Sequence, residues 1–362
     1  FVTADDLWGH PFRAFGFPKD RAGGVYVTGV MRGPQAQGWL QIDGSPGGYQ
    51  IEPGFSGSPV WDETLEGVVG LVTRADPKAG VRAAYVIPTP VLIQAWSDLA
   101  ATSRPPSPYR GLAAFRAADT GNFYGRETTT ARLVDEVNRK SLLAVVGPSG
   151  SGKSSVVFAG LIPALPADGW LVIDFRPGRA PFPSLAAALL PHLEPAMSEV
   201  DRLAETGKLA AALEVGDVEL GRVLERILTK DGGAEHILLI ADQFEELYAL
   251  SDDLERQHRF LDALLALVTD QRSSPFTLCL TLRADFMGQA LTYRTFADTL
   301  QDHDLKLGPM TRDELRAAIE QPAQRLRVAF EPGLVDRILD DVGQEPGNLP
   351  LLEFALTLLW ER

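Results

Sequence analysis

Gly147-Pro148-Ser149-Gly150-Ser151-Gly152-Lys153-Ser154 matches the pattern G-x-x-x-x-G-K-[ST], a glycine-rich loop suited to holding phosphate. Before it, Ser141-Leu-Leu-Ala-Val-Val146 reads as a short buried strand; after it, Lys153 through Leu161 reads as the first turns of a helix. The glycines let successive backbone N–H groups converge on phosphate oxygens, and the helix N-terminus adds a favourable dipole. Lys153 would carry positive charge to the β- and γ-phosphates, and the Ser154 hydroxyl would ligate Mg²⁺, with Ser155 completing the loop. A glycine turn opening an ordinary helix does not require strand, loop and Lys-Ser pair in register; here all three are, and the implication is a bound nucleotide.

The bulk properties narrow the remaining classes. With 362 residues, 45% hydrophobic and 23% charged, the chain is long enough for two or three domains of ordinary globular composition. A net charge of −14 argues against a general nucleic-acid or anionic-membrane surface, so no direct nucleic-acid partner is expected. No apolar run approaches the roughly 20 residues that span a bilayer. The single Cys279 sits in an apolar run as a core residue, excludes an internal disulfide and fits a cytoplasmic location.

Two regimes follow one another along the chain. Residues 1–100 are rich in Gly, Val and Pro, with short alternating runs and turn signals about every ten residues, which predicts a small β-barrel or sandwich closed by a helix at 91–100. Thr102-Ser-Arg-Pro-Pro-Ser-Pro108 reads as a linker within 101–108, stiffened by its prolines. From residue 109 strands alternate with helical patterns, the signature of a parallel α/β sheet. Strands are expected at 141–146, 170–175, 236–241 and 276–282, and helices near 183–193, 218–230 and 253–268. After the α/β core of 109–309, residues 310–362 read as wholly helical, with helices at 311–321, 332–342 and 348–361.

A phosphate loop needs an acidic partner. Ile237-Leu-Leu-Ile-Ala-Asp242 is an apolar strand ending in a carboxylate at the sheet edge where ligands bind, so Asp242 is the expected Mg²⁺ residue, holding the ion through water. Either Glu245 or Glu246 could polarise the attacking water. Arg283, ending the strand at 276–282, would face a γ-phosphate or else pair with Asp285.

These pieces together resemble the STAND class of AAA+-related ATPases, in particular the bacterial novel STAND NTPases. The resemblance rests on Tyr109-Arg-Gly-Leu-Ala-Ala-Phe115 and Phe123-Tyr-Gly-Arg-Glu127 ahead of the loop, and on Arg176-Pro-Gly178, Asp242-Gln-Phe-Glu-Glu246 and Thr281-Leu-Arg-Ala-Asp285. Met310-Thr-Arg-Asp-Glu-Leu315 and Gly347-Asn-Leu-Pro-Leu351 match that family's helical lid. It implies ATP and ADP as ligands, Pro350 against the bound nucleotide, oligomerisation on ATP binding, an effector at one end, and a sensor beyond the lid that receives an unknown trigger.

Gly54-Phe-Ser-Gly-Ser-Pro-Val60 resembles the nucleophile loop of trypsin-like serine peptidases, with Ser56 as nucleophile and the N–H groups of Ser56 and Gly54 as oxyanion hole. Gly67-Val-Val-Gly-Leu-Val72 and Ala84-Tyr-Val-Ile-Pro88 resemble the strands that follow it, so residues 1–100 would be the second barrel of a chymotrypsin-like fold acting on a peptide or protein. Phe55 stands where trypsin carries the Asp that pairs with a new N-terminus, so control by the attached ATPase is expected instead. His10, Asp5 and Asp6 lie too close to Ser56 to serve as its base and orienting acid; His10 reads as a turn residue. Either a first barrel with His and Asp precedes Phe1, which is not a natural start, or the domain is a pseudo-peptidase. Two functions follow from these readings: an ATP-gated peptidase switch in bacterial defence or regulated proteolysis, and an ATP-controlled scaffold that binds peptides without cutting.

Overall fold

Apolar residues at alternate positions can bury one face of a strand, and the first hundred residues use that pattern to enclose a core. In the structure, a computed structural model, strands β1 (Pro11–Gly16), β2 (Val25–Pro34), β3 (Leu40–Gly44), β4 (Pro59–Asp62), β5 (Gly67–Ala75) and β6 (Ala83–Pro88) form a closed antiparallel barrel in the order β1-β2-β3-β6-β5-β4. It closes where β1 meets β4, with Phe12 opposite Asp62 and Ala14 opposite Val60. Closure leaves no unpaired edge. Phe12, Val27, Met31, Ile42, Phe55, Val60 and Val86 fill the interior, while Trp8, Phe17 and Tyr26 remain exposed.

The structure describes residues 1–3, 7–35, 38–76, 82–101, 105–166, 168–251, 253–268, 275–343 and 347–360. Asp5 and Asp6, residues 102–104 of the linker, and the end of the last helix at 361 lie outside them. The chain divides into two units, Phe1–Ser107 and Pro108–Arg362.

The single helix expected at 91–100 is instead α1 (Thr89–Ala95) followed by a 3₁₀ turn, Ser97–Ala101. Pro90 moves the start forward, since the first helical turn needs no N–H from it, and the extended backbone of Trp96 (φ −138°) ends the helix early.

The second unit is built on a parallel sheet of β7 (Leu142–Gly147), β8 (Trp170–Phe175), β9 (His236–Ala241), β10 (Phe276–Arg283) and β11 (Asp304–Lys306), ordered β11-β7-β10-β9-β8. Alternation again decides the layers. Leu142, Ala144, Leu239, Ala241, Leu278 and Leu280 pack into one core, and Leu143, Val145, Leu238, Ile240 and Cys279 into another on the opposite face.

Helix α2 (Glu127–Val137) and the segment after the phosphate loop cover the second of these cores. That segment is α3 (Lys153–Ser155), a π turn (Val156–Leu161) and α4 (Ile162–Ala164). The widened turn precedes Pro163, which has no N–H to offer Ala159, and the Thr120 hydroxyl donates to that carbonyl instead at 2.9 Å. On the other face lie α5 (Pro181–Leu193), α6 (Glu199–Val215), α7 (Leu220–Asp231), α8 (Glu246–Ala249) and α9 (Leu254–Leu265), then α10 (Met287–Ala290) and α11 (Arg294–Leu300).

Three helices, α12 (Arg312–Arg325), α13 (Leu334–Val342) and α14 (Leu349–Trp360), make up the helical segment expected to be the lid. Thr311 and Glu314 make a reciprocal capping box at the start of α12. The lid core of Leu315, Ile319, Val335, Leu339, Leu352 and Leu356 takes in Tyr109, whose hydroxyl donates to the Ile319 carbonyl at 2.6 Å. The first residues of the unit are thereby tied to its last helices.

Candidate functional site

The phosphate loop leaves β7 at Gly147 and turns through Gly150 (φ +70°) and Gly152 (φ +88°), left-handed positions that a side chain would strain. Lys153 opens α3 with its side chain buried; Nζ donates to the carbonyls of Gly147 at 3.1 Å and Pro148 at 2.8 Å. Burial lowers its pKa, and the nearby Glu245 and Asp242 work against that. The Ser155 hydroxyl accepts the N–H of Phe115 at 3.2 Å. Gly347, just before α14, and Pro350, in its first turn, come within about 3.1 Å of where a side chain on Gly150 would begin, so this proline lies against the loop at Gly150.

Sheet order explains what else arrives. Strand β10 lies between β7 and β9, with Arg283 opposite Gly147 and Leu280 opposite Ala241. Thr281 therefore stands between the loop and Asp242. Asp242 is only 1% exposed. Its Oδ1 accepts the hydroxyls of Ser154 at 2.6 Å and Thr281 at 2.8 Å, and its Oδ2 accepts Arg176 Nε at 3.2 Å, with Nη2 of the same guanidinium in ion-pair range at 3.2 Å.

Beyond Asp242 the chain turns at Gln243 (φ +54°), whose N–H donates to the Thr281 hydroxyl at 2.8 Å. This turn separates the two glutamates. Glu245 lines the cavity and its Oε2 accepts the Arg283 N–H at 3.2 Å. Burial raises the Glu245 pKa, opposed by backbone donors and by Lys153 and Arg283. Glu246 opens α8 with its carboxylate toward Gly178, outside the cavity lining. Arg283 lines the cavity, but its guanidinium is committed to Asp285 through bonds of 3.1 and 2.7 Å, the alternative to facing a phosphate.

The cavity holds about 640 Å³. Its lining joins the phosphate loop, Arg176, Glu245, Thr281 and Arg283 to the apolar Phe115, Phe123, Met310 and Pro350, with Tyr124 and Glu353. The volume and the mixed polar and apolar lining suit a nucleotide. No group of three or more His, Cys, Asp or Glu that could hold a metal alone occurs among the described residues. The Ser154–Asp242 pair fits Mg²⁺, a hard cation, when phosphate oxygens and water complete its shell.

Sequence reasoning missed three cavity residues. Arg176 carried a usable signal, as the first residue beyond a strand at the ligand edge. Arg126 is buried behind the loop, its Nη2 donating to the carbonyls of Ser151 at 3.3 Å and Gly308 at 2.9 Å. Glu353 follows Pro350 by one helical turn and accepts the Arg110 N–H at 3.2 Å; burial pushes its carboxyl up to about 7.

In the barrel, Gly54 (φ +115°) lets the loop pass β1, and its carbonyl accepts the Phe17 N–H at 2.9 Å. Phe55, Gly57 and Ser58 donate their amides to Glu52, Val72 and Phe55, leaving those of Gly54 and Ser56 without a partner among the described residues. The Ser56 hydroxyl donates to the Thr73 carbonyl at 3.3 Å. His10 is the one histidine of residues 1–107; it ends a turn, its N–H donating to the Leu7 carbonyl at 3.3 Å, and in addition its Nδ1 bonds to buried Asp62 at 2.8 Å. That pair sits at the far end of the β1–β4 ladder from Ser56. Asp62 also accepts the Thr64 and Leu65 amides, which explains its burial structurally.

Comparison with solved structures finds matches at low identity and low TM-score. A Walker-type ATPase of Pyrococcus abyssi shares 14% identity over 67% of this chain and 69% of its own, with a TM-score of 0.44. The ORC1 protein of Aeropyrum pernix, in complex with DNA, shares 16% over 66% of this chain and 60% of its own, at 0.41. A serine endoprotease from Yersinia pestis shares 22% over 27% of this chain, at 0.23, and the chain spans only 34% of its length. Comparison with curated proteins gives no match. The family model Novel STAND NTPase 1 matches residues 108–362, the whole unit that carries the phosphate loop, Asp242 and the lid. The chain belongs to the Novel STAND NTPase 1 family.

Proposed function

We propose that residues 108–362 are an ATP-binding and ATP-hydrolysing switch, and that the barrel is the effector it controls. The observation that carries the first part is that Lys153, Ser154 and Glu245 line one cavity at the ligand edge of the sheet, with Asp242 buried directly behind Ser154 and bonded to its hydroxyl. The loop amides and Lys153 hold and orient the phosphates. Mg²⁺, when bound, would be held by Ser154 Oγ and through water by Asp242, and would neutralise charge on the β- and γ-oxygens. Of the two glutamates, only Glu245 lines the cavity, which supports it as the group that accepts a proton from the attacking water; the upward shift of its pKa makes its carboxylate a better base. Phosphate and ADP are the products. Arg283 can reach a γ-phosphate only by leaving Asp285, which gives the site a way to register the third phosphate.

A Glu245→Gln chain is expected to bind ATP within about threefold of wild type and to hydrolyse it at least about 100-fold more slowly, with Glu246→Gln near wild type in both. Equal losses in the two variants would remove the assignment of Glu245.

The two unpartnered amides beside Ser56 support a second barrel of a trypsin-like peptidase as effector, acting on a peptide or protein and gated by ATP-driven self-association in defence or regulated proteolysis. The absence of a histidine near Ser56 among the described residues favours a second reading, a peptide-binding scaffold under the same ATP control. A DNA partner, as in the Aeropyrum structure, stands against the expectation of none, which rests on the net charge of −14. No described helix is long and apolar enough to cross a membrane.

A further inference from the structure

We propose that Arg176 is the resident counter-cation of the metal site, holding Asp242 while metal is absent and giving way to Mg²⁺ when nucleotide binds. The inference rests on Asp242 as the carboxylate of that site. Burying a carboxylate, here 1% exposed, is costly unless hydrogen bonds and an opposite charge compensate for lost water. The hydroxyls of Ser154 and Thr281 supply the first, on Oδ1; the guanidinium of Arg176 supplies the second, on Oδ2.

These partners differ in how they meet a metal ion. Ser154 can go on donating its proton to Asp242 while its lone pairs turn toward Mg²⁺. Arg176 cannot share in the same way, because it occupies the oxygen, and supplies the charge, that a hydrated divalent ion would take. Among the described residues it is the only cation within 4 Å of Asp242, since Lys153 is turned to the carbonyls of Gly147 and Pro148. Its position is fixed by the sheet: Phe175 of β8 pairs with Ala241 of β9, so Arg176 and Asp242 leave adjacent strands side by side. Its side chain is 47% exposed and lines the cavity, so it has room to leave and phosphates to leave toward. The consequence is ordering. The empty site resists metal, and Mg²⁺ enters together with the phosphate charge that repays the broken ion pair.

The test is a Mn²⁺ titration of the nucleotide-free 362-residue chain, read by electron paramagnetic resonance. Arg176→Ala is expected to bind Mn²⁺ about three- to tenfold more tightly than wild type, with Arg176→Lys between them. Arg116→Ala removes the same charge from the same cavity away from Asp242 and is expected to change the affinity less than about twofold. Adding Asp242→Asn to Arg176→Ala is expected to abolish the gain. If Arg176→Ala fails to fold, Arg176→Gln carries the same expectation. Unchanged or weaker Mn²⁺ binding on loss of Arg176, or an equal gain in Arg116→Ala, would overturn the proposal. An Asp242→Asn chain that binds Mn²⁺ as wild type does would instead remove the metal-site reading beneath it.

Discussion

Around Lys153, four neighbouring strands of one sheet deliver a loop, an acid, a hydroxyl and two arginines to a single cavity. Around Ser56, a barrel of similar regularity delivers a glycine-shaped turn and two open amides, with its one histidine bonded elsewhere. Both loops match short motifs. The difference is that a parallel sheet gathers the ends of strands distant in sequence onto one edge, whereas this barrel gives Ser56 only the neighbours its own hairpins supply. A motif shows which chemistry a loop could perform; the topology around it decides whether the other groups are present.

The largest way to break this comparison is through the glycines. Gly54→Ala would place its Cβ 2.4 Å from the Phe17 carbonyl at a φ of +115°, so the barrel is expected to lose about 2–4 kcal/mol in denaturant unfolding. Near-native stability would mean the loop is not held as described. A smaller effect separates the units by pH. Glu353 titrates near 7, above the ordinary carboxylate value, so the folded chain retains a proton that the unfolded chain releases above about pH 4. That contribution to stability is complete below the unfolded value and is lost as pH rises toward 7. Glu353→Gln is therefore expected to melt with wild type near pH 5 and a few degrees above it near pH 8. A constant gap across that range would show that the carboxyl is not the cause. The smallest expected effect is at Ser56. Fluorophosphonate labelling of the 362-residue chain is expected to match Ser56→Ala with ATP, with ADP and without nucleotide, because among the described residues the Ser56 hydroxyl bonds to the Thr73 carbonyl and to no histidine. Labelling that requires Ser56 and rises with ATP would restore the gated peptidase for this chain alone.

Much of the nucleotide unit could be read in advance because its strands are apolar throughout and end on recognisable residues. The segments 170–175 and 236–241 coincide with β8 and β9 for that reason. Helix α6 was missed although Ser198 caps it and Gly216 ends it in the left-handed conformation, because its outward face carries Val200, Leu203 and Val215 and blurs the period. Strand β11 is three residues long, too short to show a period, and is held by pairing with β7. Asp242 was legible as the end of a strand, but its partners were not. Thr281 and Arg176 reach it only through sheet order, which spacing along the chain does not encode. The same holds for which glutamate lines the cavity: the turn at Gln243 brings Glu245 to it and leaves Glu246 outside.

The most direct test of the central claim is calorimetric titration of ADP with Mg²⁺ into the wild-type chain and into Lys153→Ala. The account predicts one site, micromolar or tighter, in wild type and at least about 100-fold weaker binding in a variant that still melts cooperatively. Equal ADP affinity in the folded Lys153→Ala chain would contradict it, since the phosphates would then lie outside this loop.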